Sequence, residues 1–366
     1  MIIGVPKETT DKELRVGMTP EGTAVLVERG HQVLVEYDAG IGSGIPDTSY
    51  AKKGAEMIMS PEVLYSSSDM IVKVKEFQEF EWSLLYPGLT TFSFLSLGAN
   101  PELAGALINK QVTAIAYETM ELGDGSLPIL KTMSALTGRL AVDVGSHYLK
   151  SSQGGSGKLL SSVSGVSIVR IVILGAGVAG FNAAELALNM GAQVTVLSRG
   201  EHRLVELKNR LENHKFLEIG ISSNDAIAGA VEAADVVIGA IRDTGGAVPK
   251  LVTRTMVRSM QKGSVIIDAC IDQGGCIETS HETTHSDPIY VDEGVIHYCV
   301  RNMPGSVPRT ATESLCGATM PYIQLIAENG VTDAIKSNSA LSLGVNTKGG
   351  QVVNEPVAKA LGLLGS

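Results

Sequence analysis

The feature that most constrains the fold is the tract "IVRIVILGAGVAGFNAAELALNMGAQVTVL", residues 168–197. Its glycines Gly175, Gly177 and Gly180 form the pattern GxGxxG between an apolar strand and a helix. In that pattern the first glycine permits a tight turn, the second lets the backbone approach a pyrophosphate, and the third lets helix and strand pack closely. A second strand follows about twenty residues later, as in dinucleotide-binding units. The tract predicts a Rossmann βαβ unit rather than a glycine turn without a ligand, with the phosphates at the helix N-terminus.

The end of the second strand predicts which dinucleotide binds. An acidic residue there normally accepts hydrogen bonds from the adenosine ribose hydroxyls. This chain has Ser198 followed by Arg199, with Arg203 one helical turn later. A hydroxyl and guanidinium groups suit a dianionic 2′-phosphate, which a carboxylate would repel. We therefore expect NADP(H) in preference to NAD(H), the alternative being that both arginines are solvated surface charges.

Short apolar strands alternate with helical segments along most of the chain, which predicts parallel sheets in an α/β fold. The first such series covers residues 1–130, and a second begins near Ser167. Residues 132–149 are predicted to form a helix with small residues on one side. The tract "TATESLCGATMPYIQLIAEN" predicts a long helix after the second series. We expect a dinucleotide-binding domain at 131–305 and a discontinuous substrate domain, 1–130 plus 306–366.

Composition limits the classes of function. The chain has 366 residues, 44% hydrophobic and 19% charged, and a net charge of -10. This balance is typical of a globular protein and argues against nucleic-acid binding, which requires a basic surface. Signal-peptide and membrane-span patterns are not recognisable, so we expect a cytoplasmic protein with no membrane partner. The cysteines are expected to be free thiols in a reducing compartment: Cys270, Cys276, Cys299 and Cys316.

The segment "HETTHSDP" contains His281 and His285, a spacing that invites a metal interpretation. A clear third ligand does not accompany them, and the segment is rich in turn residues, so no metal is expected. Cys276 is expected to be packed rather than nucleophilic, because no histidine adjoins it in sequence.

Several motifs together resemble the alanine dehydrogenase family, which shares ancestry with the NAD-binding subunit of proton-translocating transhydrogenase. The resemblance covers nearly the whole chain. It rests on "GVPKE", "RVGMTPEG", "KVKE", "AYET", "TGRLA", "LGAGVAGFNAA", "IDQGGCIE" and "NMPGSVPRT". It implies two Rossmann-like domains around a central cleft, the first completed by the C-terminal segment. It also implies a homo-oligomer, either a dimer or a hexamer.

The resemblance also implies roles for particular residues. Arg15 would bind the substrate carboxylate, Lys75 would polarise the carbonyl or imine, and Asp272 would act in proton transfer. For Asp272, capping of its own loop is the alternative. Further substrate or cleft positions are Tyr117, Glu118 and Asn302, and packing explains Tyr117 equally well. Further cofactor positions are Ser134, Val178, Ala179, Ser222, Ile241, Arg242, Asn302 and Met303.

Two departures from the family pattern affect the expected substrate. Ser96 occupies the position of the family's proton-donating histidine, and a hydroxyl does not titrate near neutrality, although it can orient water. Arg242 and Arg301 add positive charge, suited to a second substrate carboxylate or the cofactor phosphate, or simply to the surface.

These departures determine how the possible functions are ranked. We expect an NADPH-dependent oxidoreductase acting on an amino acid, a 2-oxo acid or an imine. A specialised amino-acid dehydrogenase or imine reductase ranks above alanine dehydrogenase itself. A transhydrogenase-like NAD(P)-binding subunit and an inactive NADP(H) sensor rank below both enzymes.

Overall fold

The structure, a computed structural model, describes residues 1–212, 214–242 and 247–363. The chain divides into two compact units: unit 1 comprises Met1–Met133 with Val307–Ser366, and unit 2 comprises Ser134–Ser306. These limits fall at 133/134 and 306/307, against the predicted 130/131 and 305/306. The last three residues of the predicted 306–366 segment lie outside the described residues.

The described part of unit 1 contains an eight-stranded sheet in the order β15-β14-β6-β5-β4-β1-β2-β3. Its strands are β1 (Ile2–Val5), β2 (Gln32–Glu36), β3 (Glu56–Ile58), β4 (Met70–Val72), β5 (Thr90–Ser93), β6 (Thr113–Ala116), β14 (Val345–Lys348) and β15 (Gln351–Val352). The first six pair in parallel, whereas β14 pairs antiparallel with β6 and β15. The predicted parallel sheet is therefore confirmed for β1 to β6 and extended by an antiparallel edge.

The helices of unit 1 are α1 (Pro20–Glu28), α2 (Asp47–Lys52), α3 (Pro61–Ser67), α4 (Pro101–Asn109), α10 (Pro308–Ser337), α11 (Ser339–Gly344) and α12 (Glu355–Ala360). The start predicted for α1 is confirmed, because the Thr19 hydroxyl accepts a hydrogen bond from the Gly22 amide at 3.2 Å. Pro20 occupies the first turn, where its missing N–H has no helical partner to lose. The long C-terminal helix is confirmed as α10, with a non-helical residue at Gly330 (φ 74°).

The described part of unit 2 contains a seven-stranded sheet in the order β12-β13-β11-β10-β7-β8-β9. Its strands are β7 (Arg170–Leu174), β8 (Gln193–Ser198), β9 (Leu217–Ile221), β10 (Val236–Gly239), β11 (Val265–Asp268), β12 (Ile289–Asp292) and β13 (Val295–Tyr298). Its helices are α6 (Val178–Asn189), α7 (Glu201–Arg210), α8 (Asn224–Glu232) and α9 (Arg254–Ser259), together with most of α5 (Leu130–Tyr148). Only the β12–β13 pairing in this sheet is antiparallel among the described strands.

Both faces of the unit 2 sheet are buried. Alternate residues of β7 point to opposite faces and belong to two different hydrophobic clusters. Ile171 and Ile173 belong to one hydrophobic cluster, and Val172 and Leu174 belong to another. On the first face α5 and α6 approach closely: a Cβ at Gly138 would lie 2.1 Å from the Ala179 carbonyl oxygen. This contact explains the small residues on one side of α5. None of the helices formed by the described residues is long and apolar enough to cross a bilayer.

Candidate active site

The predicted substrate and cleft residues of unit 1 lie at one edge of its sheet. Because β1, β4, β5 and β6 run parallel, the segments that follow them leave the sheet at the same edge. Arg15 follows β1, Lys75 follows β4, Ser96 follows β5, and Glu118 follows β6. Ligands of α/β sheets bind at this edge.

The Arg15 guanidinium is held inside unit 1 by Glu13. Glu13 accepts hydrogen bonds from Arg15 Nε at 2.6 Å and from Nη2 at 2.5 Å. The Arg15 side chain is 2% exposed and that of Glu13 is 0% exposed. Arg15 Nη1 lies 3.3 Å from the Met133 sulfur. The guanidinium orientation is therefore fixed by a bidentate pair, and Glu13 is a residue that the sequence analysis missed.

Lys75 remains partly accessible, at 24% exposure, with its ammonium 3.6 Å from the Glu76 carboxylate. Its backbone is placed by Glu8, which accepts hydrogen bonds from the Val74 amide at 2.6 Å and from the Lys75 amide at 3.4 Å. Sequence reasoning did not identify Glu8 individually, although "GVPKE" ends on it.

Ser96 lies in a tight turn that Glu118 supports. Its backbone is left-handed (φ 49°, ψ 37°), which is uncommon for a residue other than glycine. Glu118 Oε1 accepts hydrogen bonds from the Ser96 amide at 2.6 Å and the Leu95 amide at 3.2 Å. Burial raises the pKa of the Glu118 carboxyl above its ordinary value, while these amides act in the opposite direction. Glu118 is thus a protonatable group adjoining Ser96.

Tyr117 is a core residue, which corrects its assignment as a substrate-binding residue. Its side chain is 0% exposed. The ring makes edge-on contacts with Phe92 and Phe94, at centroid distances of 4.5 and 5.1 Å. The sequence left a packing role for Tyr117 open, and in the structure Tyr117 packs in the core.

A buried cluster of three charged residues lies behind the Lys75 segment. Lys73 is 0% exposed, and its ammonium contacts Glu81 at 2.5 Å and Glu8 at 3.9 Å. Two carboxylates therefore share one cation. Burial raises the pKa of Glu8 to about 7, and Lys73 only partly offsets this effect.

We expect Glu8→Gln to change the pH dependence of stability. Since the folded pKa of Glu8 is raised from 4.5 to about 7, its contribution is fully present below pH 4.5 and is lost as the pH rises through 7. Between pH 5.5 and 8 the wild type should lose about 2 kcal/mol relative to the glutamine variant, which mimics the protonated carboxyl. Urea denaturation of both proteins at the two pH values measures this difference. A constant difference between the two proteins would contradict the shifted pKa.

The glycine loop of unit 2 has the geometry that a pyrophosphate requires. Gly175 has φ 115°, and a Cβ there would lie 2.4 Å from the Ala240 carbonyl oxygen. A Cβ at Gly180 would lie 1.9 Å from the Gly175 carbonyl oxygen. Gly177 is the N-cap of α6, and a Cβ there would meet nothing within 4 Å. Two glycines are thus required by the protein's own packing, and the middle one faces open space at a helix N-terminus, which fits a bound dinucleotide.

The other predicted cofactor residues lie at strand ends, in the loops that follow strands, or in helices α5 and α6. β8 ends at Ser198, whose carbonyl accepts a hydrogen bond from the Ser222 amide at 3.0 Å. Arg199 and Arg203 are exposed, and Glu201 begins α7 between them. The remaining positions lie in the first turn of α6, after β10 and within α5: Val178, Ala179, Ile241, Arg242 and Ser134. The structure thus has a hydroxyl at the end of β8 and guanidinium groups after it, with the Glu201 carboxylate nearby in sequence.

Asp272 lies in a 3-10 helix, Ile271–Gln273, after β11 and is 57% exposed. Arg301 Nε donates to Asp272 Oδ1 at 3.1 Å, and Arg301 Nη1 contacts Glu282 at 3.4 Å. The sequence left the role of Arg301 open between a substrate carboxylate, the cofactor phosphate and the surface. In this structure its guanidinium pairs with the protein's own carboxylates.

The segment after β13 contains a residue with a left-handed backbone. Asn302 has φ 57°, and its carbonyl oxygen lies 3.3 Å from His285 Nε2. Met303 was predicted to face the cofactor, but it is 4% exposed and belongs to the core of unit 2. His281 stacks on Tyr290 at a centroid distance of 3.6 Å. Both histidines therefore have contacts within the protein.

Comparisons with known proteins agree with this architecture. Residues 4–137 match the family model "Alanine dehydrogenase/PNT, N-terminal domain", and residues 141–355 match "Alanine dehydrogenase/PNT, C-terminal domain". The chain is 46% identical to the alanine dehydrogenase of Staphylococcus haemolyticus over 364 residues, covering 99% of this chain and 97% of that protein. It is also 46% identical to the alanine dehydrogenase of Bacillus subtilis over 363 residues, covering 99% and 95% of the two chains.

Solved structures give the same result. An L-alanine dehydrogenase superimposes with a TM-score of 0.94 at 42% identity, covering 99% of both chains. A transhydrogenase from Sinorhizobium meliloti superimposes with a TM-score of 0.84 at 24% identity, covering 96% of this chain and 100% of that one, and it supports the fold alone. The α/β fold with two mainly parallel sheets, predicted from sequence, is thereby confirmed. The chain therefore belongs to the alanine dehydrogenase/PNT family and is an oxidoreductase.

Proposed function

We propose that the protein is an alanine dehydrogenase that prefers NADP(H). It would convert alanine, the oxidised dinucleotide and water into pyruvate, ammonium, the reduced dinucleotide and a proton, and would catalyse the reverse reaction. Relatives named alanine dehydrogenase are 46% identical to this chain over almost its whole length. This similarity favours alanine over the specialised substrate that the sequence analysis ranked first.

The substrate would be held by groups at the edge of the unit 1 sheet. A carboxylate is a stronger partner for Arg15 Nη1 than the Met133 sulfur that now lies 3.3 Å away, because it forms a charge-assisted bond. Lys75 would stabilise negative charge on the oxygen or nitrogen of the group that is reduced. Hydride exchange at a carbon atom is the chemistry that the nicotinamide supplies when bound.

Proton transfer would not depend on a histidine of unit 1. His31 is the single histidine in its sequence, and its Nδ1 contacts the N-terminal amine at 3.4 Å. Three of the titratable groups that follow the strands are Lys75 and Glu118 in unit 1 and Asp272 in unit 2. We propose Lys75 and Asp272 for proton transfer, with Glu118 holding the turn from which Ser96 orients a water molecule.

The cofactor preference is carried by one observation: β8 ends on Ser198 and is followed by the exposed Arg199. A 2′-phosphate would gain a hydroxyl donor and a guanidinium donor there. A hydrogen bond to a charged group contributes about 1.5–3 kcal/mol, so Arg199 should matter for the phosphorylated dinucleotide alone.

The test is the oxidation of NADPH and of NADH, followed by absorbance with pyruvate and ammonium. We expect the wild type to have the higher kcat/KM with NADPH. Arg199→Ala should raise the KM for NADPH by roughly 10- to 100-fold and leave the KM for NADH unchanged. Arg309→Ala, in unit 1, is the matched control for loss of an exposed guanidinium. Tighter binding of NADH by the wild type would contradict the cofactor preference without affecting the alanine assignment.

A second candidate substrate is a preformed imine, favoured by Ser96. Because a protonated imine is already electrophilic, its reduction needs less help from an acid than the reduction of a ketone. Turnover of cyclic imines with NADPH, together with failure of pyruvate and ammonium to react, would support this substrate.

A cytoplasmic location and a homo-oligomer remain predictions.

A further inference from the structure

Two buried cysteines flank the segment that carries Asp272. Cys270 precedes the 3-10 helix at Ile271–Gln273, and Cys276 follows the glycine pair 274–275. Cys270 is 5% exposed and Cys276 is 0% exposed, and both are free thiols. The segment turns back on itself, because the Gly275 amide donates to the Cys270 carbonyl at 3.1 Å. Its two ends are therefore neighbours.

The carboxylate of Asp268, the last residue of β11, fixes both ends. Asp268 Oδ1 accepts the Cys270 thiol at 3.1 Å and the Cys276 amide at 3.3 Å, while Oδ2 accepts the Ile277 amide at 3.2 Å. The two sulfur atoms and the nearest Asp268 oxygen all lie within 4.8 Å of one another. One buried side chain thus holds two thiols within reach of each other.

Gly239 provides the space that the two sulfur atoms occupy. A Cβ at this last residue of β10 would lie 2.6 Å from Cys276 Sγ and 3.4 Å from Cys270 Sγ. The thiols therefore share a small compartment at the carboxyl ends of β10 and β11. Rotation about the Cα–Cβ bonds is the motion that would bring the two sulfurs to bonding distance, about 2.05 Å.

We propose that Cys270 and Cys276 form an oxidisable dithiol that closes to an intrachain disulfide across the Asp272 segment. With a peroxide as oxidant, one thiolate attacks the O–O bond and becomes a sulfenic acid with release of water. The second thiol then displaces hydroxide from that sulfur, giving the S–S bond and a second water. Two thiols and one hydrogen peroxide thus yield one disulfide and two waters.

The reaction should be slow. The Cys270 side chain and burial raise the pKa of the Cys276 thiol well above its ordinary value, so little thiolate is present at neutral pH. Cys270, the more exposed of the two, is the sulfur that meets the oxidant first. Closure would remove the Cys270 donor from Asp268 and constrain the segment that places Asp272 opposite Arg301. A loss of turnover on oxidation rests on the proposed function, whereas disulfide formation does not.

The test counts thiols in the full chain. The protein is treated with hydrogen peroxide, denatured, alkylated with iodoacetamide and weighed by mass spectrometry. Of the four cysteines, we expect two to resist alkylation after oxidation and all four to react after dithiothreitol. Oxidised Cys270→Ser and Cys276→Ser should each retain all three remaining reactive thiols.

Cys299→Ser and Cys316→Ser are the matched controls, because their thiols are also buried but contact the Tyr290 hydroxyl and the Val16 carbonyl, each at 3.7 Å. Both controls should still lose two reactive thiols. Four alkylated thiols after oxidation, mass gains of oxygen without a disulfide, or the same loss in Cys270→Ser would each overturn the proposal. Because counting thiols requires no substrate, its result does not depend on whether the protein turns over alanine. Failure of the disulfide proposal and failure of the proposed function can therefore be distinguished.

Discussion

Replacing Glu13 by methionine is expected to lower the free energy of unfolding by about 3–5 kcal/mol. The reason is that Glu13 and Arg15 form a bidentate pair with 0% and 2% exposed side chains. Removing the carboxylate takes away two charge-assisted hydrogen bonds from a guanidinium that is almost fully buried. Urea denaturation of the two proteins at pH 7 measures the difference.

The double variant Glu13→Met with Arg15→Met separates charge from packing. Replacing both members of a buried pair by apolar residues is often close to neutral, so the double variant should recover most of the stability lost in Glu13→Met. Glu355→Met, at the exposed start of α12, controls for the loss of a carboxylate at the surface. Equal destabilisation of the single and double variants would show that packing, and not loss of the charge pair with Glu13, explains the lower stability.

The strongest local signals in the sequence predicted the corresponding elements well. β7, α6 and β8 form the unit predicted from Gly175, Gly177 and Gly180. Close contacts require glycine at the first and third of these positions, and the second lies at the N-terminus of α6 with open space beside it. α1 begins where Thr19 and Pro20 predict it. These features depend on residues close together in the chain, so they can be predicted without knowledge of the fold.

The elements that the sequence analysis missed are short, and their identity depends on distant partners. β14, with the sequence "VNTK", contains Asn346 and Thr347, which are buried although polar. The Thr347 hydroxyl donates to the Val112 carbonyl at 2.9 Å, a residue in the other part of unit 1. Period-two hydrophobicity alone does not reveal such a strand, because its burial is supported by hydrogen bonds from across the sheet.

In the candidate site, too, residues in recognisable motifs were identified from the sequence, whereas residues that act through distant partners were not. Arg15, Lys75, Ser96 and Asp272 were assigned from motifs that resemble the family, and in the structure each of them follows a strand. The carboxylates that support these residues lie at different distances from them along the sequence: Glu13 is near Arg15, whereas Glu8 and Glu118 are far from Lys75 and Ser96. Glu8 and Glu81, for example, both contact Lys73 although they are 73 positions apart in the sequence. In the sequence each reads as an ordinary surface charge, and only the fold makes them a buried cluster.

The change with the largest expected effect on turnover is Lys75→Met. Lys75 is 24% exposed, so methionine, which has a similar length, should leave the fold intact. Loss of one preorganised charge at a reacting oxygen typically lowers kcat by about 10²–10³-fold, and we expect that decrease for pyruvate reduction with NADPH. Steady-state kinetics with saturating ammonium measures it.

Lys53→Met, an exposed lysine at the end of α2, is the matched control and should retain wild-type kcat. Cofactor affinity separates the possible causes, because Lys75 lies in unit 1 and the glycine loop in unit 2. If Lys75→Met binds NADPH as tightly as the wild type does while kcat falls, the side-chain ammonium of Lys75 acts on the substrate. A kcat within twofold of wild type would instead remove Lys75 from the reaction, and stabilisation of the negative charge would then fall to Arg15.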